Sequence, residues 1–330
     1  MRILVLTDHS GHTVNNSLYG VVRHLVDDKR VVEVRIACRG SVANNAFFSC
    51  SPSGKTRPLA ALVAAADFTF EKGKLAFASE HSLATPLAWA DAVWLRIPHP
   101  VPGNWFNFLR EAFGKTPIIN RPEGIELTTS KRWLLEVPEL CAPTALCERP
   151  EEVAAFAKTR PCVLKPLEGY GGKGILRADE HGVYVDDHQV SFAHWPAHPL
   201  AQQPYLAVEF LTRVSEGDKR IVVLDGEVLG AVLRVPKPGN WLANVSQGGH
   251  AEPATLSFAE RRIVETLRPK LRALGVVMYG IDTLMGNEGE RVLSEVNTMS
   301  IGGLNDLPAF RGQSATQYTA SKLVDLWAVA

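Results

Sequence analysis

The alternation of apolar and polar positions predicts an α/β layer at the start of the chain. The apolar run at 2–7 is typical of a buried strand, and apolar positions three and four residues apart over 14–27 predict a helix. A second strand is predicted at 31–37. Strand, helix and strand within about 35 residues indicate a βαβ unit with parallel strands.

The pattern changes character after the first third of the chain. The turn-rich stretch 40–58 predicts a surface loop, and strands at 90–97 and 116–120 flank a helix at 104–113. Beyond Pro122 the pattern is rich in strands, with long helices returning near the end. The predicted strands lie at 161–166, 174–178, 182–186, 205–211 and 219–235, and the predicted helices at 257–274 and 314–328. We therefore expect an α/β N-terminal domain of about 120 residues followed by an α+β body.

Composition narrows the class of protein without naming a function. The chain has 330 residues, with 35 basic and 35 acidic side chains, so it lacks the basic surface expected for nucleic acid or an anionic membrane. The first apolar run ends at Asp8, too short for a signal peptide, and no run approaches the roughly 18 residues of a membrane span. Five scattered cysteines favour a reducing, cytoplasmic location. We expect small-molecule partners, and assembly into a homo-oligomer stays open.

A glycine-rich stretch follows the strand predicted at 161–166. Gly169, Gly171 and Gly174 form a literal G-x-G-x-x-G, but a strand rather than a helix is predicted next, which argues against a dinucleotide site. A phosphate-binding P-loop is also excluded, because Gly174 rather than Ser or Thr follows Lys173. Two interpretations stay open: a glycine-rich flap that closes over phosphates, with Lys165 at its entrance, or an ordinary hairpin.

A second hairpin is predicted in MYGIDTLMGNEGERVLSEVN. If its turn is centred between Glu288 and Gly289, Asp282 faces Glu295, and Asn297 lies two residues along on the same face. Two carboxylates directly opposed would repel each other, and a divalent cation would remove that conflict. This favours a magnesium site over the alternative of a solvated hairpin face.

Two further segments carry candidate chemistry. An Asp225-Gly226 turn joins two predicted strands, with Arg220 and Arg234 near their far ends. These arginines are either planar donors for phosphoryl charge or exposed arginines of an edge strand. Glu209 is the one charged residue in YLAVEFL, and it either accepts a hydrogen bond from an adenine amino group or is a partly exposed carboxylate.

Taken in order, these residues resemble a known family. Lys131, Lys165 before the glycines, the EFL and EGDKR stretches, Arg234, Asn244 before Gly248-Gly249, and GID…SEVN are similar to the motifs of ATP-grasp ligases. Over about residues 90–300 the nearest likeness is to bacterial glutathione synthetases, which the LRIPHP and NRPEGIELTTSKRWL stretches also resemble. The resemblance implies an N-terminal (pre-ATP-grasp) substrate-binding domain at 1–120, a small ATP-grasp subdomain with a glycine-rich β flap at 121–205, and a C-terminal ATP-grasp subdomain with the metal site at 206–330.

The resemblance also implies roles for individual residues. ATP would be bound by Lys131, Lys165, Gly171, Gly172, Glu209, Phe210, Leu211 and Asp218. Of these, Asp218 would contact the ribose of ATP. Two Mg²⁺ ions, or Mn²⁺ in their place, would be held by Asp282, Glu295 and Asn297. The phosphorylated carboxylate would be stabilised by Arg220, Arg234 and Asn244, and the acceptor peptide would be held by Arg96.

The implied activity is an ADP-forming ligation of a carboxylate and an amine through an acyl phosphate, with γ-glutamylcysteine and glycine as the family's substrates. The stretch TMSIGGLNDL departs from that family and is more similar to D-alanine–D-alanine ligases. This second resemblance implies that Ser300, Gly302 and Gly303 of this chain contact the carboxylate of an amino acid. Two alternatives therefore stay open: a ligase that joins other amino acids or tailors a peptide or natural product, and a nucleotide-binding regulatory module without turnover. His250, beside Gly249, is the one histidine expected near the substrates.

Overall fold

The computed structural model describes residues 1–71, 74–77, 82–168, 172, 174–186, 188–236 and 250–329. Within these ranges the chain forms sheets of six, six and five strands and a separate two-stranded hairpin. No helix in the described ranges is long and apolar enough to cross a membrane.

The first sheet is built around the strand predicted at the start of the chain. Its part of the chain contains β1 (Arg2–Thr7), α1 (Ser17–Asp27), β2 (Glu33–Cys38), α2 (Asn45–Phe48), β3 (Leu59–Val63), β4 (Phe68–Glu71), β5 (Lys74–Phe77), β6 (Ser82–Thr85), β7 (Ala92–Arg96), α3 (Trp105–Phe113) and β8 (Ile118–Ile119). The strand order is β6-β3-β2-β1-β7-β8, while β4 and β5 pair only with each other. β1 is parallel to β2 and to β7, so the predicted βαβ unit is confirmed.

The connection after β2 differs from the prediction of a surface loop at 40–58. It contains α2, whose Phe47 and Phe48 are buried. Both rings pack against Trp105 of α3, which gives this polar segment an aromatic anchor. The prediction was wrong here because two aromatic residues among many turn-forming residues leave no periodic pattern.

The second sheet is antiparallel and contains the strands on either side of the glycine-rich stretch. Its part of the chain contains α4 (Pro122–Thr128), β9 (Thr144–Cys147), α5 (Pro150–Thr159), β10 (Cys162–Pro166), β11 (Leu176–Asp179), β12 (Gly182–Val185), β13 (His188–Val190) and β14 (Tyr205–Glu209). The strand order is β13-β12-β11-β10-β14-β9. β10 pairs with β11, so a strand follows the glycines, as the sequence predicts. The predicted domain boundary between 205 and 206 falls inside β14.

The third sheet and two long helices complete the described chain. This part contains β15 (Asp218–Leu224), β16 (Glu227–Val235), β17 (His250–Ala254), α6 (Phe258–Ala273), β18 (Met278–Met285), β19 (Arg291–Asn297) and α7 (Ala315–Ala328). The strand order is β17-β16-β15-β18-β19. The Asp225-Gly226 turn is confirmed, and both of its residues have positive φ, as a tight hairpin turn requires. Leu323 and Val324 of α7 pack in one core with Leu18 and Val22 of α1, so the end of the chain lies against its beginning.

Candidate active site

The β18–β19 hairpin places the predicted carboxylate pair in register. Asp282 lies opposite Glu295, and Asn297 lies opposite Gly280. The turn itself is not centred where the sequence predicted, because Met285 already pairs with Arg291. The two registers are reconciled by a β-bulge next to this pair, which inserts one extra residue into β19.

Two arginines of the adjacent strands bind Asp282. Arg220 on β15 lies opposite Asp282 and donates both Nε and Nη2 to its carboxylate, the latter at 2.7 Å. Arg234 on β16 lies opposite Asp218, donates Nε to it at 2.7 Å, and reaches Asp282 Oδ1 from Nη2 at 3.1 Å. The repulsion predicted between opposed carboxylates is therefore relieved in this structure by guanidinium groups.

The protonation of these two carboxylates follows from their neighbours. Burial alone would raise the pKa of Asp282, but Arg220 and Arg234 outweigh burial and lower it to about 2. Burial and the neighbouring Asp282 raise the pKa of Asp218, against the opposing effect of Arg234. Asp282 is thus held as a carboxylate, and Asp218 orients the Arg234 side chain.

Two lysines approach the same hairpin from the second sheet and its connections. Lys165 at the end of β10 donates from Nζ to Ser294 Oγ at 3.0 Å, and Ser294 lies between Leu293 and Glu295 at the bulge. Lys131 lies 3.7 Å from Glu295 Oε1. Burial lowers the pKa of Lys165 and raises the pKa of Glu295, so both charges are poorly solvated.

The predicted metal ligands supply the oxygen donors that Mg²⁺ prefers. Asn297 donates its Nδ2 to Asp282 Oδ2 at 3.1 Å, which leaves the amide oxygen of Asn297 available as a ligand beside the carboxylates. The described residues contain no group of three or more His, Cys, Asp or Glu side chains arranged for a metal. The donor set therefore fits an ion that keeps water or phosphate ligands, and Arg220 and Arg234 would share Asp282 with it.

The residues predicted for adenine lie at the end of β14. Glu209 is 3.6 Å from the Arg160 guanidinium. Phe210 already donates its N–H to Pro161 O and accepts from Asn287 Nδ2. The Phe210 N–H is engaged, so a base at this site could use the Glu209 carboxylate, the backbone of Leu211 or the second lone pair of the Phe210 carbonyl.

The remaining predicted residues lie in several places. Gly171 and Asn244 fall outside the described residues, as does the side chain of His250. Gly172 is described and has a positive φ of 75°. The predicted substrate residues Ser300, Gly302 and Gly303 follow the β18–β19 hairpin, and a Cβ on Gly303 would lie 4.0 Å from Arg220 Cγ. This segment therefore passes beside the arginine cluster.

Arg96 lies on the first sheet, at the carboxyl end of β7. It is 3% exposed, and its Nε and Nη1 find no hydrogen-bond partner among the described residues. Burial lowers its pKa to about 10. A buried guanidinium with unused donors is a candidate for binding an anionic group.

Sequence reasoning missed two residues that hold the site together. Ser294 is invisible as a ligand of Lys165 until the bulge is known. Asn120 accepts hydrogen bonds from the backbone N–H groups of Val277 and Met278 and donates to Met278 O and Thr298 O. It thus ties both strands of the β18–β19 hairpin to the edge of the first sheet. A lone Asn at the end of a short apolar run carries no sequence signal for that role.

A family model described as the ATP-grasp domain of prokaryotic glutathione synthetase matches residues 130–312. A glutathione synthetase of Prochlorococcus marinus (strain MIT 9313) is 34% identical over 255 residues, which cover 73% of this chain and 77% of that protein. One from Mesorhizobium japonicum is 33% identical over 232 residues, covering 69% and 71%.

The fold is also similar to solved structures of low sequence identity. D-cycloserine synthetase DcsG has a TM-score of 0.62 at 12% identity, covering 99% of this chain and 100% of that one. The ATP-grasp ligase PsnB, solved with minimal precursor, Mg and ADP, has a TM-score of 0.56 at 17% identity, covering 98% and 97%. These likenesses establish the ATP-grasp fold.

Proposed function

Because the chain belongs to the family of prokaryotic glutathione synthetases with an ATP-grasp domain and is an ADP-forming ligase, we propose that it joins a carboxylic acid to an amine through an acyl phosphate. The observation that carries this proposal is the charged cluster at the β18–β19 hairpin, where side chains of the second and third sheets meet. Four cationic side chains surround three carboxylates there: Lys131, Lys165, Arg220 and Arg234 around Asp218, Asp282 and Glu295. Burial leaves the charges of Lys165 and Glu295 poorly solvated, so a triphosphate bound to these cations would supply the pairing that the protein leaves incomplete.

The lysines and arginines have different parts in this proposal. Lys131 and Lys165 hold the phosphates of ATP as point charges, and Gly171 and Gly172 close over them. Arg220 and Arg234, with Asn244, stabilise the charge that develops on the phosphoryl group as it is transferred. Mg²⁺ held by Asp282, Glu295 and Asn297 would offset phosphate charge when bound. Adenine lies against Glu209, Phe210 and Leu211, and Asp218 acts chiefly by orienting Arg234.

The reaction balances in two displacements. An oxygen of the acid's carboxylate attacks the γ-phosphorus, the bond to the β-phosphate oxygen breaks, and ADP leaves. The amine nitrogen then attacks the acyl carbon, inorganic phosphate leaves with the bonding electrons, and the nitrogen loses a proton. Because water would hydrolyse the acyl phosphate, the site has to close before the first step.

The first candidate substrates are γ-glutamylcysteine and glycine, on the strength of relatives called glutathione synthetase at 33 and 34% identity. The stretch that follows the β18–β19 hairpin favours a second candidate function, the joining of other amino acids or the tailoring of a peptide. In that stretch Gly303 has a φ of 93° beside Arg220, and a Cβ added to Gly302 would meet no atom within 4 Å. Both glycines leave room for an amino acid's carboxylate near the arginine cluster.

The proposal is tested by measuring ADP and phosphate formation with Mg²⁺ and ATP across crossed panels of acids and amines. The panel contains γ-glutamyl peptides, free amino acids and simple amines, each pair also run with one partner omitted. We expect ADP formation that requires both γ-glutamylcysteine and glycine and that yields the amide by mass spectrometry. Turnover with another pair alone would establish the second candidate, and ADP formation without any amide product would contradict both.

A further inference from the structure

A cavity of about 480 Å³ lies where the edge of the first sheet meets the carboxyl ends of α6 and α7. Its walls are formed by the segment that runs from the end of α3 through β8 to the start of α4, by Asp225 of the β15–β16 turn, and by the ends of those two helices. Pockets that bind small molecules have volumes of roughly 300–1,000 Å³. The cavity is therefore large enough for an organic ligand.

The cavity is separate from the proposed ATP site. Asp225 lies at the turn between β15 and β16, whereas Asp218 and Arg234 lie opposite each other at the other end of those strands. The strand from Asp218 to Asp225 spans about 20 Å, at roughly 3.3 Å per residue. Of the described residues that line the cavity, none belongs to the cluster around Asp282. A ligand here would therefore occupy a second site.

The inner wall of the cavity is apolar. Ile118 and Ile119 of β8 and Trp327 of α7 line it, and each is more than nine-tenths buried. Val277 and Leu326 also line it and are partly buried against the core that contains Ile119 and Trp327. Such a wall would remove the apolar part of a ligand from water, which favours binding.

The more exposed part of the wall is basic. Its charged residues are Arg110, Lys115, Arg121 and Arg272, against Glu123 and Asp225. Both carboxylates already have partners, since Glu123 lies 3.7 Å from Arg110 Nε and Asp225 lies 2.9 Å from Lys322 Nζ. In contrast, Lys115 and Arg121 are exposed, and neither side chain forms an ion pair or a hydrogen bond with a described residue. Two cations of this wall are thus available for an anion.

The side chain of Arg121 is held in place by a glycine. The Arg121 N–H donates to Gly275 O at 3.1 Å, just before α4 begins. Gly275 has a φ of 71° after the end of α6, and a Cβ added to it would lie only 2.3 Å from Arg121 Cδ. A glycine is therefore required for the arginine to cross this turn. Because its stem is packed there, Arg121 loses less freedom on binding an anion than a fully mobile surface arginine would.

The cavity adjoins the residue that connects the first sheet to the β18–β19 hairpin. Asn120 stands between two lining residues, Ile119 and Arg121. Its Oδ1 accepts at 2.9 Å from the N–H of Val277, a third lining residue, and its Nδ2 donates at 2.6 Å to Thr298 O, directly after β19. A ligand that moves β8 or Val277 would therefore act on both strands of the hairpin.

We propose that this cavity binds a small organic anion as an effector of the enzyme. The apolar body of the ligand lies against Ile119 and Trp327, and its anionic group lies on Lys115 and Arg121. Binding changes turnover because Asn120 couples the cavity to the hairpin that carries Asp282. The effector role rests on the proposed ligase function, whereas the binding site itself does not.

Binding is tested on the full chain by fluorescence titration with 8-anilinonaphthalene-1-sulfonate, an aromatic body with one sulfonate. We expect the Kd of the dye to rise at least tenfold in the double variant Lys115→Gln/Arg121→Gln, which removes both charged donors. The matched control is Lys158→Gln/Arg261→Gln, because it removes the same charge from exposed residues outside the cavity. Thr116→Trp, which fills the cavity and keeps its charges, should also weaken binding at least tenfold.

The titration needs no turnover, so loss of the site and loss of the proposed function are separate results. Equal affinities in the two double variants, or unchanged binding in Thr116→Trp, would overturn the site. Circular dichroism shows whether each variant is folded.

The effector role is tested by steady-state kinetics with the dye at a saturating concentration. We expect kcat or the KM for ATP to change at least twofold in the wild-type enzyme and to stay unchanged in Thr116→Trp. The same response in both enzymes would show that the dye acts at the ATP site. That result, or no response in either enzyme, would overturn the effector role.

Discussion

Lys219 and Arg220 are neighbours on β15, and they belong to two different buried clusters on opposite faces of the third sheet. Lys219 donates to Glu260 of α6 at 2.7 Å, while Arg220 binds Asp282 of β18. Thr283 and Asp282 repeat the division one strand away, since Thr283 Oγ1 donates to Glu260 at 2.8 Å. Strand alternation thus separates two ionic sites by a single residue step.

The charge count does not distinguish the two clusters. Glu260 has two cations near it, Lys219 and Arg291, so that cluster also carries one surplus positive charge. Hydrogen bonding distinguishes them. Glu260 is fully buried and also accepts from the Ser257 N–H at 2.7 Å. Its pKa is lowered, because these donors outweigh burial. In contrast, the Glu295 carboxylate lies 3.7 Å from Lys131 Nζ, beyond hydrogen-bond distance, and burial raises its pKa.

This comparison teaches that a buried ion pair is not in itself a mark of function. A cluster whose acceptors are all satisfied holds the fold, as Glu260 holds α6 to β15 and β18. A cluster with poorly solvated charges and unused hydrogen-bonding capacity is prepared for a ligand. We call the face with Arg220 and Asp282 the reactive face and the face with Lys219 and Glu260 the structural face. Substitutions on the reactive face should lower kcat, and those on the structural face should lower the free energy of unfolding.

The largest effect is expected for Asp282→Asn on the reactive face. The substitution removes the charge that Arg220 and Arg234 share and one proposed metal ligand, while it preserves the shape of the side chain. We expect kcat for ADP formation, measured per folded molecule, to fall by about a thousandfold, comparable to losing a transition-state donor.

Asp91→Asn is the matched control for that variant. Asp91 pairs with Arg2 at 3.0 Å in an exposed ion pair, where the same substitution should leave kcat unchanged. If the Asp282→Asn enzyme kept more than a tenth of its activity, the cluster around Asp282 would have a structural role instead of a catalytic one.

Glu260→Gln should have the opposite outcome on the structural face. It leaves Lys219 buried without its carboxylate, so the free energy of unfolding should fall by about 3 kcal/mol, with kcat per folded molecule unchanged. Urea denaturation monitored by circular dichroism measures this difference. The control is Glu152→Gln, since Glu152 caps α5 in the same way but is more exposed, and we expect a much smaller change in the free energy of unfolding there.

The same variant carries a pH dependence. The folded pKa of Glu260 lies below its usual 4.5, so its ionised form stabilises the protein above that pH, and the contribution is lost as the pH falls below it. Glu260→Gln should therefore flatten the acid side of the stability profile. An unchanged slope, or a large loss of kcat at neutral pH, would contradict the division between the faces.

A smaller effect on kcat is expected for Arg234→Lys. Lysine keeps the charge but cannot bind Asp218 with two parallel donors and reach Asp282 as well. We expect kcat to fall by about tenfold to a hundredfold with little change in the KM for ATP. The reason is that the Arg234 guanidinium stabilises charge that develops on the phosphoryl group only during its transfer. Arg311→Lys, in the exposed pair with Glu227, is the control and should have wild-type kinetics. A rise in KM alone would make Arg234 a ground-state binding residue.

The comparison also shows what the sequence could and could not predict. Pairing arithmetic brought Asp282 opposite Glu295, and the structure confirms that pair despite a wrongly placed turn. The parallel pairing of β1 with β2 was also predictable, because a strand, a helix and a second strand follow one another within about 35 residues. Glu260 was not predictable as a buried charge, since its capping-box position reads as the exposed start of a helix.

The hydrogen bonds that join Tyr19 to His9 and His12 were unpredictable for a different reason. His9, His12 and Tyr19 lie on a short turn, a loop and α1, and only the path of the chain between β1 and α1 brings them together. No spacing rule connects side chains from such irregular backbone. A site whose residues are brought together by the register of one hairpin can thus be predicted from the sequence. A site whose residues come from loops can be identified only once the structure is known.

The smallest effect is expected for Ser294→Ala at the bulge. Lys165 Nζ would lose its 3.0 Å hydrogen bond to Ser294 Oγ and keep only the backbone oxygen of the same residue at 3.4 Å. One such bond contributes about 1 kcal/mol, so the KM for ATP should rise about fivefold while kcat is nearly unchanged. Ser191→Ala, whose hydroxyl contacts an exposed histidine, is the control in steady-state kinetics. An unchanged KM would mean that the ladder of β10 alone positions Lys165. A higher KM would show that the bulge in β19 positions the Ser294 hydroxyl to orient Lys165 for ATP binding. The bulge would then contribute to the function of the reactive face.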